Sequence, residues 1–434
     1  MNRESAPRGR WFAAEAVLSW RGHAFATVLA VALIVSRRPE DLLNPQLWSE
    51  DGTVFYPDAH NLGLIASLFK PHVGYLVVWP RLVAAAGLLL PLRWAPLLYT
   101  LAAIVIPLAS VNLLLSRRLA AVIPHLAVRA LFAFLILAVP ASVSVHANLP
   151  NAQTHLSVLA FLVIASTPAR NWGWRTFDAA VLVLAALTGP QSLLLLPTAG
   201  LLLWRDFDRE RAVRVGILAI ACAAQLACVL LTEAMGQRWG GLGITPERAV
   251  KLIGGNVVLT SLIGSGGVKA LLAAGGPESL ESDWYLVLCW LTVLAGAAAV
   301  AAAVWRGPLA LRGFLLFAAL VAAAGLVFAR RDPGPHWATI LAPGSLHQYG
   351  YIIHLAMMVT MAWLAVAAPW SAARVAGRVA MAVMCLGIAL DWVYPPLPDL
   401  DFAQHCAAFE QAAPGERVII PVNPQGFFLD IVKR

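Results

Sequence analysis

Long apolar blocks, separated by short polar stretches, are the feature that most constrains this chain. About 20 apolar residues in a helix cross the roughly 30 Å hydrocarbon core of a bilayer. Such blocks recur along nearly all of the 434 residues, of which 60% are hydrophobic and only 12% are charged. A soluble domain is normally about one quarter charged. We therefore predict an all-α polytopic membrane protein.

The blocks predict eleven transmembrane helices within one integral membrane domain, residues 1–394. The predicted spans are 18–36, 95–116, 126–144, 153–168, 176–188, 190–204, 213–234, 284–305, 309–329, 347–368 and 376–394. The pair 176–188 and 190–204 is short and meets at Thr188-Gly189-Pro190. It could therefore be two tilted helices or one re-entrant hairpin.

Arginines concentrate in alternate connections between these blocks, which predicts the orientation of the chain. They are Arg3, Arg8, Arg10, Arg21, Arg117, Arg118, Arg170, Arg175, Arg205, Arg209, Arg211, Arg214, Arg306, Arg312, Arg374 and Arg378. Because cytoplasmic loops carry the excess of Lys and Arg, we assign this side and the N-terminus to the cytoplasm. The outer face then receives two large loops, 37–94 and 235–283, and a polar tail, 395–434.

Residues 74–92 decide whether this orientation holds. They are apolar enough to cross, but Trp79-Pro80-Arg81 interrupts them and Pro91 ends them. We predict a juxtamembrane helix that lies in the outer interface. The alternative is a full crossing, which would invert every later loop and place most arginines outside. In loop 235–283, residues 246–265 have the apolar content of a second interfacial helix.

The tail and the missing motifs narrow the function. Arg417–Val422, a turn at 423–426 and Phe427–Ile431 predict a small β-hairpin that can fold back on the outer face. No P-loop, Rossmann, nucleophile-elbow or HExxH pattern is present. The five cysteines have no metal-ligand spacing. The basic residues lie mostly in short loops, so no nucleic-acid partner is predicted. A transferase of this kind would need a donor that arrives already activated in the membrane.

Glu50 and Asp51 form an acidic pair just after the first span, in a chain that is otherwise poor in charge. A sugar transferase outside the cytoplasm has no nucleotide-sugar pool and must use a sugar linked to a lipid phosphate. That chemistry needs a carboxylate to take a proton from the acceptor hydroxyl, and cations to stabilise the departing phosphate. We predict Asp51 as the base, with Glu50 as the alternative, because neighbouring helical side chains face different ways.

The remaining candidate residues lie in the predicted outer loops. The candidates for donor phosphate binding are Lys70, Arg81, Arg330, Arg331 and His347. The candidates for the substrate pocket are His60, His72, Tyr75, His146, Asn148, Asn151, Gln153, His155, His336, Gln348 and Tyr349. Helix capping and interhelical hydrogen bonds are the alternative explanation for the polar residues. No cofactor is required. A divalent metal held by Asp58 with Glu50 and Asp51 is an alternative to a metal-free site with Lys70.

Residues 45–100 resemble the GT-C superfamily of integral-membrane glycosyltransferases. The resemblance rests on Trp48-Ser49-Glu50-Asp51-Gly52, on Phe69-Lys70-Pro71-His72-Val73-Gly74-Tyr75 and on Pro80-Arg81-Leu82. These residues look like those of the lipid A aminoarabinose transferase branch, of mannosyltransferase-type enzymes that use polyprenyl-phosphate sugars, and of a bacterial subgroup with mostly unassigned substrates. The resemblance implies that the loop acid is the base and that the Lys-Pro element contacts the donor phosphate. Relatives often carry Arg-Tyr before a late span. Here His347-Gln348-Tyr349 stands there, so Arg330, Arg331 or His347 would have to substitute.

These observations predict a glycosyltransferase at the outer face of a bacterial cytoplasmic membrane. It would move a sugar from a polyprenyl-phosphate-linked donor to a glycan, lipid or protein acceptor. The alternatives are a lipid-linked glycan polymerase or ligase, a flippase of cell-surface polysaccharide assembly, and a structural membrane protein. A flippase should carry polar residues through the middle of several spans. In this chain they concentrate at one face, which favours surface chemistry.

Overall fold

The computed structural model of the protein describes residues 17–232, 244–327 and 337–434. Its α-helices are α1 Trp20–Val35, α2 Glu40–Leu43, α3 Tyr56–Leu62, α4 Leu64–Leu68, α5 Val78–Gly87, α6 Ala95–Leu115, α7 Arg117–Ala120, α8 Leu126–Ala138, α9 Ala152–Ala165, α10 Trp172–Ala186, α11 Leu196–Arg205, α12 Arg209–Leu231, α13 Pro246–Val250, α14 Thr260–Gly275, α15 Asp283–Arg306, α16 Leu309–Val327, α17 Trp337–Leu341, α18 His347–Ala367, α19 Ser371–Leu390 and α20 Phe402–Gln411. Asp51–Phe55 and Lys251–Leu259 are π-helical, and Leu92–Trp94, Pro190–Leu195 and Ser279–Glu281 are 3₁₀-helical. The strands are β1 Arg417–Val422 and β2 Phe427–Val432.

Seven helical stretches of the described chain are long and apolar enough to cross a membrane. They are Leu92–Leu115, Arg209–Leu231, Pro246–Gly275, Asp283–Arg306, Leu309–Leu326, His347–Ala367 and Ser371–Leu390. The protein is therefore a multi-pass membrane protein, but eleven spans are not confirmed. All of these stretches except Pro246–Gly275 coincide with predicted spans. The other five predicted spans correspond to α1, α8, α9, α10 and α11, which have between 10 and 16 residues.

Pro246–Gly275 is the stretch that the sequence analysis placed in an outer loop. Gly264 interrupts it with a backbone conformation that is not helical, φ 71° and ψ 167°. Near its start, Lys251 Nζ lies 3.3 Å from Glu281 Oε2. At its other end, Gly275 abuts Ser279 and Trp284. Because both ends meet the same short segment, the stretch folds back on itself and leaves the bundle on the side where it entered.

The segment 74–92 does not form a long helix. Its only α-helix is α5, whose 10 residues span about 15 Å at 1.5 Å per residue, half of the hydrocarbon core. Before α5 the backbone is extended and pairs with side chains of the bundle. The Gln225 amide accepts from Leu76 N at 3.0 Å and donates to Leu76 O at 3.1 Å. The length of α5 favours the predicted juxtamembrane helix over a full crossing.

The centre of the bundle is formed by α6, α9 and α18. Every residue of α9 except Gln153 is buried, and α18 is buried along most of its length. α9 packs between α6 and α10, while α18 packs against α16 and α19. Both helices are mostly apolar around their circumference, which suits such an enclosed position.

Buried arginines mark two opposite ends of the bundle. At one end, Arg118 donates to both carboxylate oxygens of Asp178, at 2.6 and 2.7 Å, and Arg214 Nη1 lies 3.8 Å from the same carboxylate. At the other end, Arg37 donates to the carbonyls of Leu137 and Asp391, at 2.6 and 3.1 Å. Arg37 therefore caps the C-terminal ends of α8 and α19 together.

The C-terminal tail folds back on the first loop. β1 and β2 form an antiparallel pair with Arg417 opposite Val432, which confirms the predicted strand, turn and strand. Asn423 pairs with the segment before Asp51: its N–H donates to Leu47 O at 3.0 Å, and its carbonyl accepts from Ser49 N. His60 also holds the tail, with Nε2 2.8 Å from Val432 O.

Candidate functional site

A polar cleft lies at the Arg37 end of the bundle, between the end of α1, the first loop, the start of α6 and the α8–α9 connection. It is lined by Arg38, Glu40, Asp41, Asn44, Gln46, Trp48, Asp51, Pro96, Tyr99, Thr100, His146, Ala147, Asn148, Leu149 and Leu397. Its cavity volume is about 30 Å³. That is room for about two water molecules. In this conformation the polar cleft is therefore closed to a sugar.

Asp51 begins the π-helical turn that faces the cleft. Its side chain is 4% exposed, and Oδ1 has no hydrogen-bond partner among the described residues. Burial raises the pKa of Asp51 well above its usual value, and the neighbouring charge of Glu50 raises it further. A buried carboxylate with a free oxygen and a raised pKa is suited to accept a proton.

The tail shapes the turn that carries Asp51. Gly52 lies directly under Val422 of β1, and a Cβ atom at this position would lie 2.8 Å from Val422 Cγ1. Only a glycine lets the strand approach this closely without a shift. Glu50 is half-buried and does not line the cleft. The geometry therefore favours Asp51 over Glu50 as the residue that faces a ligand.

Two further cleft residues were not among the predicted site residues. Tyr99 on α6 has a buried hydroxyl without a partner in the described part of the chain. Arg38 is 7% exposed; its Nε donates to Pro395 O at 3.1 Å, and Nη1 lies 3.5 Å from Asp41 Oδ1. Burial raises the pKa of Asp41 to about 6, against the opposing effect of Arg38. The sequence shows Tyr99 only as a residue inside an apolar block.

Lys70 and Arg81 form a separate cluster with Asp58. Lys70 Nζ lies 2.6 Å from Asp58 Oδ1, and Arg81 Nη1 lies 3.0 Å from Oδ2. The two predicted phosphate-binding cations are therefore already paired with a carboxylate, and neither lines the polar cleft. The Asp58 carboxylate is bound by these two cations and is therefore not free to bind a metal ion. Across residues 17–232, 244–327 and 337–434 there is no group of three His, Cys, Asp or Glu that could hold a metal ion.

His146 and His155 extend the wall of the cleft into the core. Their ring centroids are 5.1 Å apart, and the rings of Tyr351 and Tyr394 pack around them. None of the four imidazole nitrogens has a hydrogen-bond partner in the described structure. Burial, with Arg37 and His155 adding to it, lowers the pKa of His146 well below its usual value. His146 is therefore neutral where it meets the cleft.

Of the Asn and Gln residues predicted for the substrate pocket, one lines the cleft and others form hydrogen bonds next to it. Asn148 lines the cleft. Asn151 Nδ2 donates to Ser144 O at 2.8 Å and contacts Asn148 Oδ1 at 3.3 Å. Gln348 Oε1 accepts from the Ser144 hydroxyl at 3.2 Å, which ties α18 to this connection. Gln153 packs against Gly189 and is not part of the cleft.

The other predicted residues lie elsewhere. His60 stacks on Tyr56 and contacts the tail. His72 and Tyr75 close a tight turn through their backbones, with His72 N donating to Tyr75 O at 2.9 Å. His347 and Tyr349 are exposed at the start of α18. Arg330, Arg331 and His336 lie outside the described residues.

A comparison of the chain with protein-family models, curated proteins and solved structures gives no match.

Proposed function

We propose that the protein is a membrane glycosyltransferase. It moves a sugar from a polyprenyl-phosphate-linked donor to an acceptor at the outer face of a bacterial cytoplasmic membrane. This proposal includes the GT-C-like fold that the resemblance of residues 45–100 implies, with the arginine-rich end facing the cytoplasm. The acceptor is a glycan, a lipid or a protein of the cell envelope.

The single observation that carries the proposal is the state of Asp51. Asp51 is buried with a hydrogen bond from the Trp48 backbone, but its Oδ1 has no partner among the described residues. A buried ionisable group that is only partly compensated is expensive, so such groups are found mostly where they perform a function. Asp51 lies at one end of an apolar bundle, where the head group of a lipid-linked donor would lie. Asp51 lines the cleft together with Asn148 and Tyr99, whose amide and hydroxyl are hydrogen-bonding groups for a sugar.

In the proposed reaction, Asp51 takes the proton of the acceptor hydroxyl as that oxygen attacks the anomeric carbon. The bond from this carbon to the phosphate oxygen breaks, and the electron pair leaves with the lipid phosphate. A nearby cation stabilises the departing negative charge. The chemistry needs no nucleotide and no redox partner, which agrees with the absence of nucleotide-binding motifs from the sequence.

The test is Asp51→Asn in cells that depend on the protein, followed by mass spectrometry of lipid-linked and envelope glycans. Glu410→Gln is the matched control, because it makes the same carboxylate-to-amide change on the exposed face of α20. Asp51→Asn should remove one sugar from a product, whereas Glu410→Gln should not. An unchanged glycan profile for a folded Asp51→Asn variant would overturn the proposal. A product shortened by a whole repeat unit would indicate a polymerase or ligase.

A further inference from the structure

Arg38 is the arginine of the polar cleft, and its bonds in this conformation are incomplete. Nε has a good hydrogen bond to Pro395 O at 3.1 Å. Nη2 reaches Val143 O only at 3.5 Å, and Nη1 lies 3.5 Å from Asp41 Oδ1. Strong charge-assisted hydrogen bonds are about 2.7–2.9 Å long. The two outer nitrogens of the guanidinium therefore have capacity for a better acceptor.

The residue that Arg38 contacts most closely belongs to a segment that covers the cleft. We name residues 395–400 the strap. Leu397 lines the cleft, and Gln46 holds the strap on both sides, with Nε2 3.0 Å from Pro398 O and Oε1 2.9 Å from Leu400 N. The strap connects the end of α19 to α20 and has no regular secondary structure. Arg38 is one of its anchors.

The other cationic candidates are less suited to the Asp51 cleft. Lys70 and Arg81 are bound to Asp58 outside it, and His146 is neutral. Arg38 lines the same cleft as Asp51. Its planar fork matches two oxygens of a phosphate.

We propose that Arg38 binds the phosphate group of a polyprenyl-phosphate lipid in the polar cleft, in exchange for Pro395 O and Asp41. This inference rests on the proposed function and names the cation that its reaction requires. Release of the Pro395 carbonyl removes one anchor of the strap, whereas Gln46 still bonds Pro398 and Leu400. Asp41 competes with the phosphate for the same guanidinium.

The experiment measures the binding of decaprenyl phosphate to the purified full-length protein by native mass spectrometry, with a melting curve for each variant. Neutral decaprenol, phosphatidylglycerol and inorganic phosphate are the comparison ligands. Arg38→Gln should weaken binding of decaprenyl phosphate about tenfold or more, the usual effect of losing a charge-assisted hydrogen bond. Arg93→Gln is the matched control, because Arg93 is an exposed arginine in the 3₁₀-helical turn before α6.

Asp41→Asn tests the same proposal with the opposite sign. It removes the competing carboxylate and leaves Arg38 in place, so decaprenyl phosphate should bind more tightly than to the wild type. This variant decides the question even if Arg38→Gln does not fold. Binding that neither variant changes would overturn the role of Arg38.

The comparison ligands separate the remaining outcomes. Equal binding of decaprenol and decaprenyl phosphate would overturn the proposal, because the phosphate would then not be recognised. Phosphatidylglycerol or inorganic phosphate could instead bind as tightly as decaprenyl phosphate, with Arg38→Gln abolishing that binding. This result would assign the site to another source of phosphate and would overturn the polyprenyl ligand. Full glycan transfer by Asp51→Asn would instead defeat the proposed function, whatever Arg38 binds.

Discussion

Asp51 is a residue whose burial opposes folding. Its raised pKa means that the ionised carboxylate is less favourable in the folded protein than in the unfolded chain. For an acid with a raised pKa, the native state loses stability as pH rises through the ordinary carboxyl range and beyond it. At neutral pH the protein therefore retains Asp51 at a cost in stability, as is typical of functional sites.

The first prediction is that Asp51→Asn stabilises the protein and inactivates it. The amide keeps the shape of the side chain and removes the buried charge, so the melting temperature in detergent at pH 7 should rise by a few degrees. Glycan transfer should fall about 100-fold or more, the usual contribution of a general base. A variant that melts lower than the wild type at pH 7 would contradict this account of Asp51.

The second prediction concerns the pH dependence of transfer. A general base must be deprotonated, so the rate should rise with pH, with a midpoint well above the ordinary Asp pKa of about 4. Glu50→Gln removes a negative neighbour that raises this pKa. The midpoint of the pH–rate curve should therefore move to lower pH in Glu50→Gln. An unchanged midpoint would show that Glu50 does not affect the pKa of the base.

At the scale of residues, the sequence singles out Asp51 as a candidate base but does not show which residues surround it. Asp51 could be predicted because a carboxylate pair is rare in a chain so poor in charge. The pairing of Asp58 with Lys70 and Arg81 bridges 12 and 23 residues and depends on how α3, α4 and α5 pack. The sequence shows Arg38 in an arginine pair on the predicted outer face, which indicates either snorkelling at a helix end or contact with a negatively charged ligand. It does not show the contact with the strap, which lies more than 350 residues later.

At the scale of elements, the break at Gly264 has a clear physical basis. The carboxylate of Asp391 accepts from Ser265 N and Gly266 N, each at 2.7 Å, and from Ala141 N at 3.0 Å. Asp391 thus caps the second half of α14 from a neighbouring helix end. Backbone at membrane depth can be irregular only where such partners satisfy it. The break joins three segments around one carboxylate.

The third prediction compares two glycines with the same backbone conformation. Gly264 has φ 71° and Gly276 has φ 98°, and both have extended ψ values. An alanine strains the backbone by about 1–3 kcal/mol at either position. At Gly264 the new Cβ would also collide with Gly387 O and Asp391, whereas nothing lies within 4 Å at Gly276. Thermal unfolding should show Gly264→Ala less stable than Gly276→Ala by about 1–3 kcal/mol. Equal melting temperatures of the two variants would contradict the close contact of Gly264 with Gly387 and Asp391.

The sequence predicted the long helices and the tail hairpin, and it failed where tertiary contacts end or bend an element. The apolar block 126–144 continues past α8, but the helix ends at Ala138. There the Arg37 guanidinium donates hydrogen bonds to the carbonyl oxygens of Leu137 and Val139. Hydropathy cannot detect such a cap. It also could not show that Pro246–Gly275 folds back, because the capping carboxylate of Asp391 comes from a distant part of the chain.

At the scale of the molecule, charge is placed at the two ends of an apolar bundle. The end opposite the cleft is held by Arg118, Asp178 and Arg214, which link the connections after α6 and α9 to α10 and α12. These are connections that the arginine pattern assigns to the cytoplasm. Buried ion pairs contribute less than their contacts suggest, but the loss of one partner leaves the others without compensation.

The fourth prediction concerns this cluster. Asp178→Asn leaves two buried arginines without their carboxylate and should lower the free energy of unfolding by about 3–5 kcal/mol. Asp206→Asn is the control, because Asp206 pairs with Arg211 on the surface, where such pairs contribute about 0–1 kcal/mol. Unfolding in detergent, followed by circular dichroism, would compare them. Similar stability of the two variants would contradict a structural role for Asp178.

The pairing of Asn423 with Leu47 and Ser49 has a consequence for biosynthesis. A ribosome must add more than 350 residues after the Asp51 turn before the strand that holds this turn exists. During synthesis, the first loop therefore lies beside an incomplete bundle, without the C-terminal strand that packs on the Asp51 turn. The Asp51 turn therefore gains its last packing partner only after the C-terminal strand has been made.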